Sequence, residues 1–180
     1  TGTAVNTITF QKSGAGVNPV VTRTDAGSNA TSTIGGMGDA VIQLSGSDYV
    51  TFDGIDVSAS QSGIEYGYLT HKPSGTDGCQ SVTIKNATVT MTKGTSAYVI
   101  GIYIGNGTAS VSSATGVVVT SDAGRNMNIT LTGNTISSVH AGIICRGGTA
   151  MYDSIFTIGQ SGAGNTIQNF GGGSATTTYG

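Results

Sequence analysis

The feature that most constrains the fold is a set of short alternating segments that recurs three times at matching offsets. Each copy starts with two apolar residues separated by one Thr. These pairs are Val50 and Phe52, Val82 and Ile84, and Ile129 and Leu131. Two-residue alternation is typical of a strand with one buried face. Its recurrence every few tens of residues predicts a β-solenoid.

Stacking the copies predicts four inward ladders of apolar side chains. The second strand of each copy is assigned to Gly63-Ile64, Gly101-Ile102 and Gly142-Ile143. The predicted ladders are Val50/Val82/Ile129, Phe52/Ile84/Leu131, Ile64/Ile102/Ile143 and Tyr66/Ile104/Cys145. Residues 41–44 and 117–120 are candidates for a third strand of a coil.

This frame predicts an all-β chain forming a single solenoid domain, residues 1–180, with irregular coil lengths and about four to six coils. Residues 1–47 would form irregular first coils, and residues 154–180 a partial last coil. The successive coils between them would span residues 48–79, 80–127 and 128–153. Tight corners are expected at Gly54, Asn86 and Gly133, residues that tolerate left-handed backbone.

Longer stretches of the sequence resemble a known superfamily. NITLTGNTIS followed by HAGIICRG, and SVTIKNATVTMT followed by VIGIYIGNG, resemble coils of right-handed parallel β-helices of the pectin-lyase-like superfamily. ITFQKSGAG, DAVIQLSGSDYVTFDGIDV and GIYIGNG resemble Gly/Thr/Ser-rich β-helical regions of large Bacteroidota surface proteins exported by type IX secretion. The resemblance implies a right-handed parallel β-helix in a secreted protein located at the cell surface.

Composition excludes several classes of partner. Only 9% of the residues are charged and the net charge is −2, without the clustered basic face that nucleic acid or an anionic membrane requires. No apolar run approaches the roughly 20 residues needed to span a bilayer. The chain starts at Thr1 without Met, as expected of a processed form or of a segment of something larger.

Residues with chemical potential are few. Asp53 and Asp56 are weak candidates for a metal ligand pair or for the acid and base of a polysaccharide-cleaving enzyme. Asp is also common at strand-to-turn positions because its side chain hydrogen-bonds locally. Asp-Asp, Gly-His-Gly and Arg-Ile-Lys, the motifs of polygalacturonases, are missing. We therefore expect no catalytic residue, no cofactor and no metal.

The remaining candidates are surface modifications and two cysteines. Asn-x-Thr sequons and an Asp-Ser-Ile signal of the Bacteroidota O-glycosylation type make five positions possible glycosylation sites: Asn29, Asn86, Asn106, Asn128 and Ser154. Cys79 and Cys145 could pair in an oxidising compartment, and a buried free thiol at Cys145, which shares its predicted ladder with Ile104 and Tyr66, is at least an equal alternative. His71 is expected in a loop and His140 at a corner.

The ends of a solenoid carry the functional prediction. Terminal coils expose backbone and core unless something covers them, and no amphipathic capping helix is evident. We therefore predict a non-catalytic extracellular structural module, either a segment of an adhesin or a fibre subunit that stacks end to end. Its partners would be copies of itself or further coils of a longer chain, with glycans as additional partners. One alternative is a carbohydrate-binding or polysaccharide-cleaving β-helix, and another is an ice-binding solenoid displaying Thr-x-Thr arrays.

Overall fold

A computed structural model describes residues 2–27, 38–95, 98–110 and 116–172. The described residues form fourteen β-strands and one 3₁₀ turn at Asp122–Gly124, with no α-helix among them. The strands are β1 (Ile8–Gln11), β2 (Val20–Arg23), β3 (Ala40–Ser45), β4 (Val50–Asp53), β5 (Asp56–Ala59), β6 (Tyr66–His71), β7 (Thr83–Lys85), β8 (Thr88–Thr90), β9 (Ile100–Ile104), β10 (Met127–Thr132), β11 (Thr135–Val139), β12 (Ala141–Cys145), β13 (Ser154–Ile158) and β14 (Thr166–Phe170).

The strands build three sheets in which every pairing between neighbours is parallel. The first sheet has the order β1-β4-β7-β10-β13, the second β2-β5-β8-β11-β14, and the third β3-β6-β9-β12. Each sheet therefore takes every third strand, and the chain visits the sheets in the same order on each pass. This topology is consistent with a β-solenoid in which coils lie about 4.8 Å apart. Strands β1–β3 pair one for one with β4–β6.

The ladder of the first sheet is confirmed. Phe52 pairs with Ile84 and Ile84 pairs with Leu131, and all three side chains are buried. The same column continues outward to Phe10 at one end and Ile158 at the other. Three-residue strands such as β7 are stable here because their apolar side chains stack on like positions above and below.

The ladders predicted for the third sheet are wrong in one coil. Tyr68, not Ile64, pairs with Ile102, while Tyr66 pairs with Ile100 instead of Ile104. The residues aligned with Gly101-Ile102 are Gly67-Tyr68, four positions after Gly63-Ile64, because Ile64 lies in the segment that leads into β6. The pairs Ile102 with Ile143 and Ile104 with Cys145 are confirmed.

A column of glycines fixes the contact between the second and third sheets. Gly67, Gly101 and Gly142 occupy equivalent positions, flanked by residues that pair across β6, β9 and β12. A Cβ on Gly101 would lie 2.3 Å from Ile136 Cγ2, and one on Gly67 would lie 2.6 Å from Val89 Cγ1. The second sheet thus presents β-branched side chains where the third sheet has no side chain at all.

The outer face of the third sheet carries a second apolar cluster. It consists of Tyr66, Leu69, Tyr98, Ile100 and Tyr103, and the Tyr66 and Tyr103 rings stack with centroids 5.2 Å apart. Tyr98 belongs to the long connection between β8 and β9. The two middle strands of this sheet, β6 and β9, are therefore buried on both faces, which explains why they show no alternation of apolar and polar residues.

Two further expectations had opposite outcomes. Residues 41–44 lie in β3, as predicted for a third strand, whereas residues 117–120 form no strand and belong to the connection between β9 and β10. The predicted corners are confirmed, because Gly54, Asn86 and Gly133 have φ values of 64°, 55° and 64°. Such left-handed backbone favours Gly and Asn.

Candidate functional site

Asp53 and Asp56 lie on the surface of adjacent strands, and each has its own partners. Asp53 Oδ2 lies 3.1 Å from Lys85 Nζ, and Asp53 Oδ1 accepts a 2.7 Å hydrogen bond from Asn86 Nδ2. Partial burial opposes the charged form of Asp53, but the bonds from Asn86 and Lys85 outweigh it and lower the pKa of this carboxyl. An exposed ion pair of this kind contributes about 0 to 1 kcal/mol.

Asp56 forms hydrogen bonds to a different set of groups. Its Oδ1 accepts from Asn18 Nδ2 at 2.8 Å and from the Thr88 backbone N–H at 2.7 Å. Across the part of the chain that the structure describes, no three His, Cys, Asp or Glu residues cluster in a way that could hold a metal ion. The two carboxylates act locally, each joining its own coil to a neighbouring coil.

The glycosylation candidates differ in accessibility. Asn86 and Asn128 are exposed, whereas Asn106 is buried and its Nδ2 donates to the Val117 carbonyl at 3.1 Å. Ser154 is half-buried and its hydroxyl accepts from Arg125 Nη2 at 2.7 Å. Asn29 lies outside the described residues. A glycan on Asn106 would have to be attached before folding, and glycosylation of the exposed positions stays a prediction.

Both histidines are buried and placed at the ends of strands. His71, expected in a loop, is instead the last residue of β6 and its Nδ1 lies 2.9 Å from Gln43 Nε2. His140 lies between β11 and β12, as expected for a corner, and its Nδ1 accepts from the Val99 N–H at 2.9 Å. Burial lowers the pKa of both imidazoles, and the two rings lie at different corners.

The structure contradicts both a Cys79–Cys145 disulfide and a buried thiol at Cys145. Both thiols are free, but Cys79 is the buried one and Cys145 is exposed. Cys145 is exposed because β12 is the last strand of its sheet, so nothing stacks on it from the following coil. Burial raises the pKa of Cys79 to about 11. The pKa of Cys145 is also raised to about 11, by the loss of solvation where its neighbours pack around it and by the charge of Asp153, although solvent reaches part of the side chain.

We expect alkylation of the native chain at neutral pH to modify Cys145 well before Cys79. Thiolate is scarce at both positions below a pKa of about 11, so access decides the order. The Cys145 rate should rise as pH approaches that value. Peptide mapping after timed iodoacetamide treatment measures it, with a urea-unfolded sample as the control. Faster labelling of Cys79 in the folded chain would contradict the placement.

The clearest candidate for an interaction site is the pair of end faces. We define the leading face as the outer side of β1 and β2, and the trailing face as the outer side of β13 and β14. The exposed apolar residues on these strands are Ile8, Phe10, Val20, Val21, Ile155, Ile158, Ile167 and Phe170. Most continue a core column, since Phe10 stacks on Phe52 with ring centroids 5.0 Å apart and Ile158 pairs with Leu131.

The trailing face also carries a cleft above β12. The cleft has a volume of about 510 Å³ and is lined by apolar residues of β12, β13 and β14 together with Asn165. It lies where the third sheet ends one coil before the other two sheets. A parallel strand laid on β12 would occupy this position.

Stacked asparagines line the corner between the first and second sheets. Asn134 Oδ1 accepts from the Ala87 N–H, while Asn134 Nδ2 donates to the Ile84 carbonyl at 2.9 Å. Asn165, one coil further, accepts from the Asn134 N–H at 3.0 Å and donates to the Leu131 carbonyl at 2.8 Å. The side chains thus satisfy buried backbone groups at a bend where the ladder is interrupted.

A second polar column lies at the corner between the third and first sheets. The Cys79 N–H donates to Asn126 Oδ1 at 3.0 Å, and the Asn126 N–H donates to Asp153 Oδ1 at 2.8 Å. Lys72 reaches this column, where its Nζ lies 2.7 Å from Asp153 Oδ1. Lys72, Asn126 and Asp153 are not among the residues predicted from the sequence. For Asn126 and Asp153 the sequence holds one signal, which Cys79 shares: each lies three residues before the first ladder residue of a coil.

No family model, curated protein or solved structure matches the chain. None of the helical residues in the described ranges forms a segment with the length and apolar character needed to cross a bilayer. The end faces and the two polar corner columns are therefore the features on which a functional proposal can be built.

Proposed function

We propose that this chain is a non-catalytic structural module that stacks end to end, in a cell-surface adhesin or an extracellular fibre. The observation that carries the proposal is the continuation of the core columns to both end faces. Phe10 and Ile158 are each 50% exposed although they occupy the same column as Phe52, Ile84 and Leu131. Burying such apolar surface contributes roughly 25 cal/mol per Å².

The backbone supports the same mode of association. Among the described strands, the first and last strand of each sheet pair along one edge only, and such edges are templates for further parallel pairing. We further propose a single right-handed β-helix, because connections between parallel strands of one sheet are right-handed in about 98% of cases. Contacts that repeat head to tail without closing produce filaments.

We also propose that the chain is not an enzyme, because its two candidate catalytic carboxylates already have structural partners. The Asp53 carboxylate is paired with Lys85 and accepts from Asn86, and the Asp56 carboxylate accepts from Asn18 and from the Thr88 backbone. Rigidity arises from ladders and corner columns that need no reactive residue. The secreted, cell-surface location rests on the sequence resemblance to type IX exported proteins.

Self-association should depend on the end faces. We expect the purified chain to form particles that grow along one axis with concentration, by about 24 Å per copy for five coils at 4.8 Å spacing. Phe10→Lys and Ile158→Lys should each weaken association by at least about tenfold, because a charge would be buried against apolar surface. Light scattering with negative-stain microscopy measures both effects.

Val118→Lys is the matched control, since Val118 is exposed but lies outside the end faces. A chain that stays monomeric at all concentrations would contradict the proposal that it is a fibre subunit.

The proposal that the chain is a segment of an adhesin is tested separately, by fusing two copies in tandem. Because stability of stacked repeats grows with each interface, the tandem chain should melt at a higher temperature than the single copy, and equal melting temperatures would contradict stacking.

A further inference from the structure

The buried corner between the third and first sheets contains an unusual ion pair. Lys72 Nζ lies 2.7 Å from Asp153 Oδ1, and the two side chains are 0% and 5% exposed. In the other four ion pairs of the described residues, every side chain is at least 22% exposed. Removing two charges from water is unfavourable unless their mutual attraction and further hydrogen bonds offset the lost solvation.

The surroundings of Asp153 are arranged around its carboxylate. The backbone N–H of Asn126 donates to Asp153 Oδ1 at 2.8 Å, and Asn126 Nδ2 donates to Asp153 Oδ2 at 2.9 Å. Asn126 Nδ2 also donates to the Gly105 carbonyl at 3.0 Å, which fixes the orientation of the amide. Lys72 is held from its backbone, whose N–H donates to the Gly107 carbonyl at 2.8 Å. Amine and carboxylate are thus fixed against each other.

We propose that Lys72 and Asp153 join in an intramolecular isopeptide bond. The Lys amine is an established protein nucleophile, and positioning of reacting groups in direct contact removes most of the entropic cost of their reaction. The product replaces two buried charges with a neutral amide. Formation of the amide therefore relieves the desolvation cost of the ion pair.

The reaction balances without any co-reactant. Lys72 Nζ first passes a proton to Asp153 Oδ1 along their hydrogen bond, giving a neutral amine and a carboxylic acid. The nitrogen lone pair then forms a bond to Asp153 Cγ, and negative charge develops on Oδ2, which accepts from Asn126 Nδ2. A second proton moves from Nζ to Oδ1, the Cγ–Oδ1 bond breaks and water leaves. Ammonium and carboxylate become one amide and one water, with no change of oxidation state.

The position of the bond gives it a structural use that does not depend on the proposed function. Lys72 follows β6 and Asp153 precedes β13, and the two residues are 81 positions apart. The bond would run along the stack, across the coil that contains β9. Among the described residues, the other contacts between coils are hydrogen bonds, apolar contacts and the exposed Asp53–Lys85 ion pair, and all of them are non-covalent.

Intact-mass measurement of the purified folded chain under denaturing conditions tests the proposal. Because the amine displaces one water, we expect a mass lower by about 18 Da than the sequence mass, with fragmentation placing the link between Lys72 and Asp153. Lys72→Arg keeps the cation but has no primary amine, so it should show its full sequence mass. The control Lys85→Arg changes the exposed pair with Asp53 and should keep the deficit. A folded wild-type chain with its full sequence mass would overturn the proposal.

Discussion

A Gly101→Val substitution is expected to destabilise the fold by about 3 kcal/mol or more, at the upper end for overpacked cores. A Cβ at this position would lie 2.3 Å from Ile136 Cγ2 and 2.8 Å from the Gly142 carbonyl oxygen. Ile136 is fully buried, and a β-branched side chain in a strand has few alternative rotamers. Relief therefore requires the second and third sheets to separate.

Urea-induced unfolding followed by circular dichroism measures this change. The control is Gly16→Val, because nothing lies within 4 Å of a Cβ at Gly16. Its effect should stay within about 0.5 kcal/mol, as for surface positions in general. Similar unfolding midpoints for both variants would show that the glycine column does not set the spacing of the sheets.

The glycine column also explains which part of the sequence frame failed. The segment GIEYGYLT contains two Gly-led starts, Gly63-Ile64 and Gly67-Tyr68. The sequence frame uses the first, which lies 14 residues after Val50 and so matches the 14-residue spacing between Ile129 and Ile143. The structure uses the second, since Gly67 is the residue that faces Val89 and Val57. The spacing of apolar residues does not distinguish Gly63-Ile64 from Gly67-Tyr68 as the start of the strand. The packing does, because the residue that faces Val89 and Val57 must lack a side chain.

The first sheet was predictable for a simple physical reason. Its strands have one face in the core and one in solvent, so the alternation of Val82, Thr83 and Ile84 reports burial directly. The middle strands of the third sheet, β6 and β9, are buried on both faces and carry no such alternation. Its register therefore depends on contacts that become visible only when the coils are stacked.

The polar corner could not be derived from the sequence. Lys72 lies in the connection between β6 and β7, and Asp153 lies in the connection between β12 and β13. These connections differ in length from the one between β9 and β10, which runs from residue 105 to residue 126. Which residues meet at a corner depends on how these connections fold back, because a connection imposes no period. The corner residues Asn86 and Gly133 were predictable since a required backbone conformation restricts residue type.

Ile84→Ala should cost about 2 to 5 kcal/mol, the range for truncating a fully buried Ile. Ile84 is 0% exposed and pairs with Phe52 on one side and Leu131 on the other. The truncation therefore removes contacts with two neighbouring coils and leaves a cavity between them. In a stacked architecture, stability is close to a sum of coil terms and nearest-neighbour interfaces.

The matched control is Ile158→Ala, the same change in the same column but in the last coil. Ile158 is 50% exposed and its pairing partner is Leu131 alone. Its truncation should cost less than about 1.5 kcal/mol, since one interface is affected and the site can be filled by water. Chemical unfolding at a concentration where the chain is monomeric measures both. Equal costs would mean that the middle of the stack is no better packed than its end, which would contradict a core made of continuous columns.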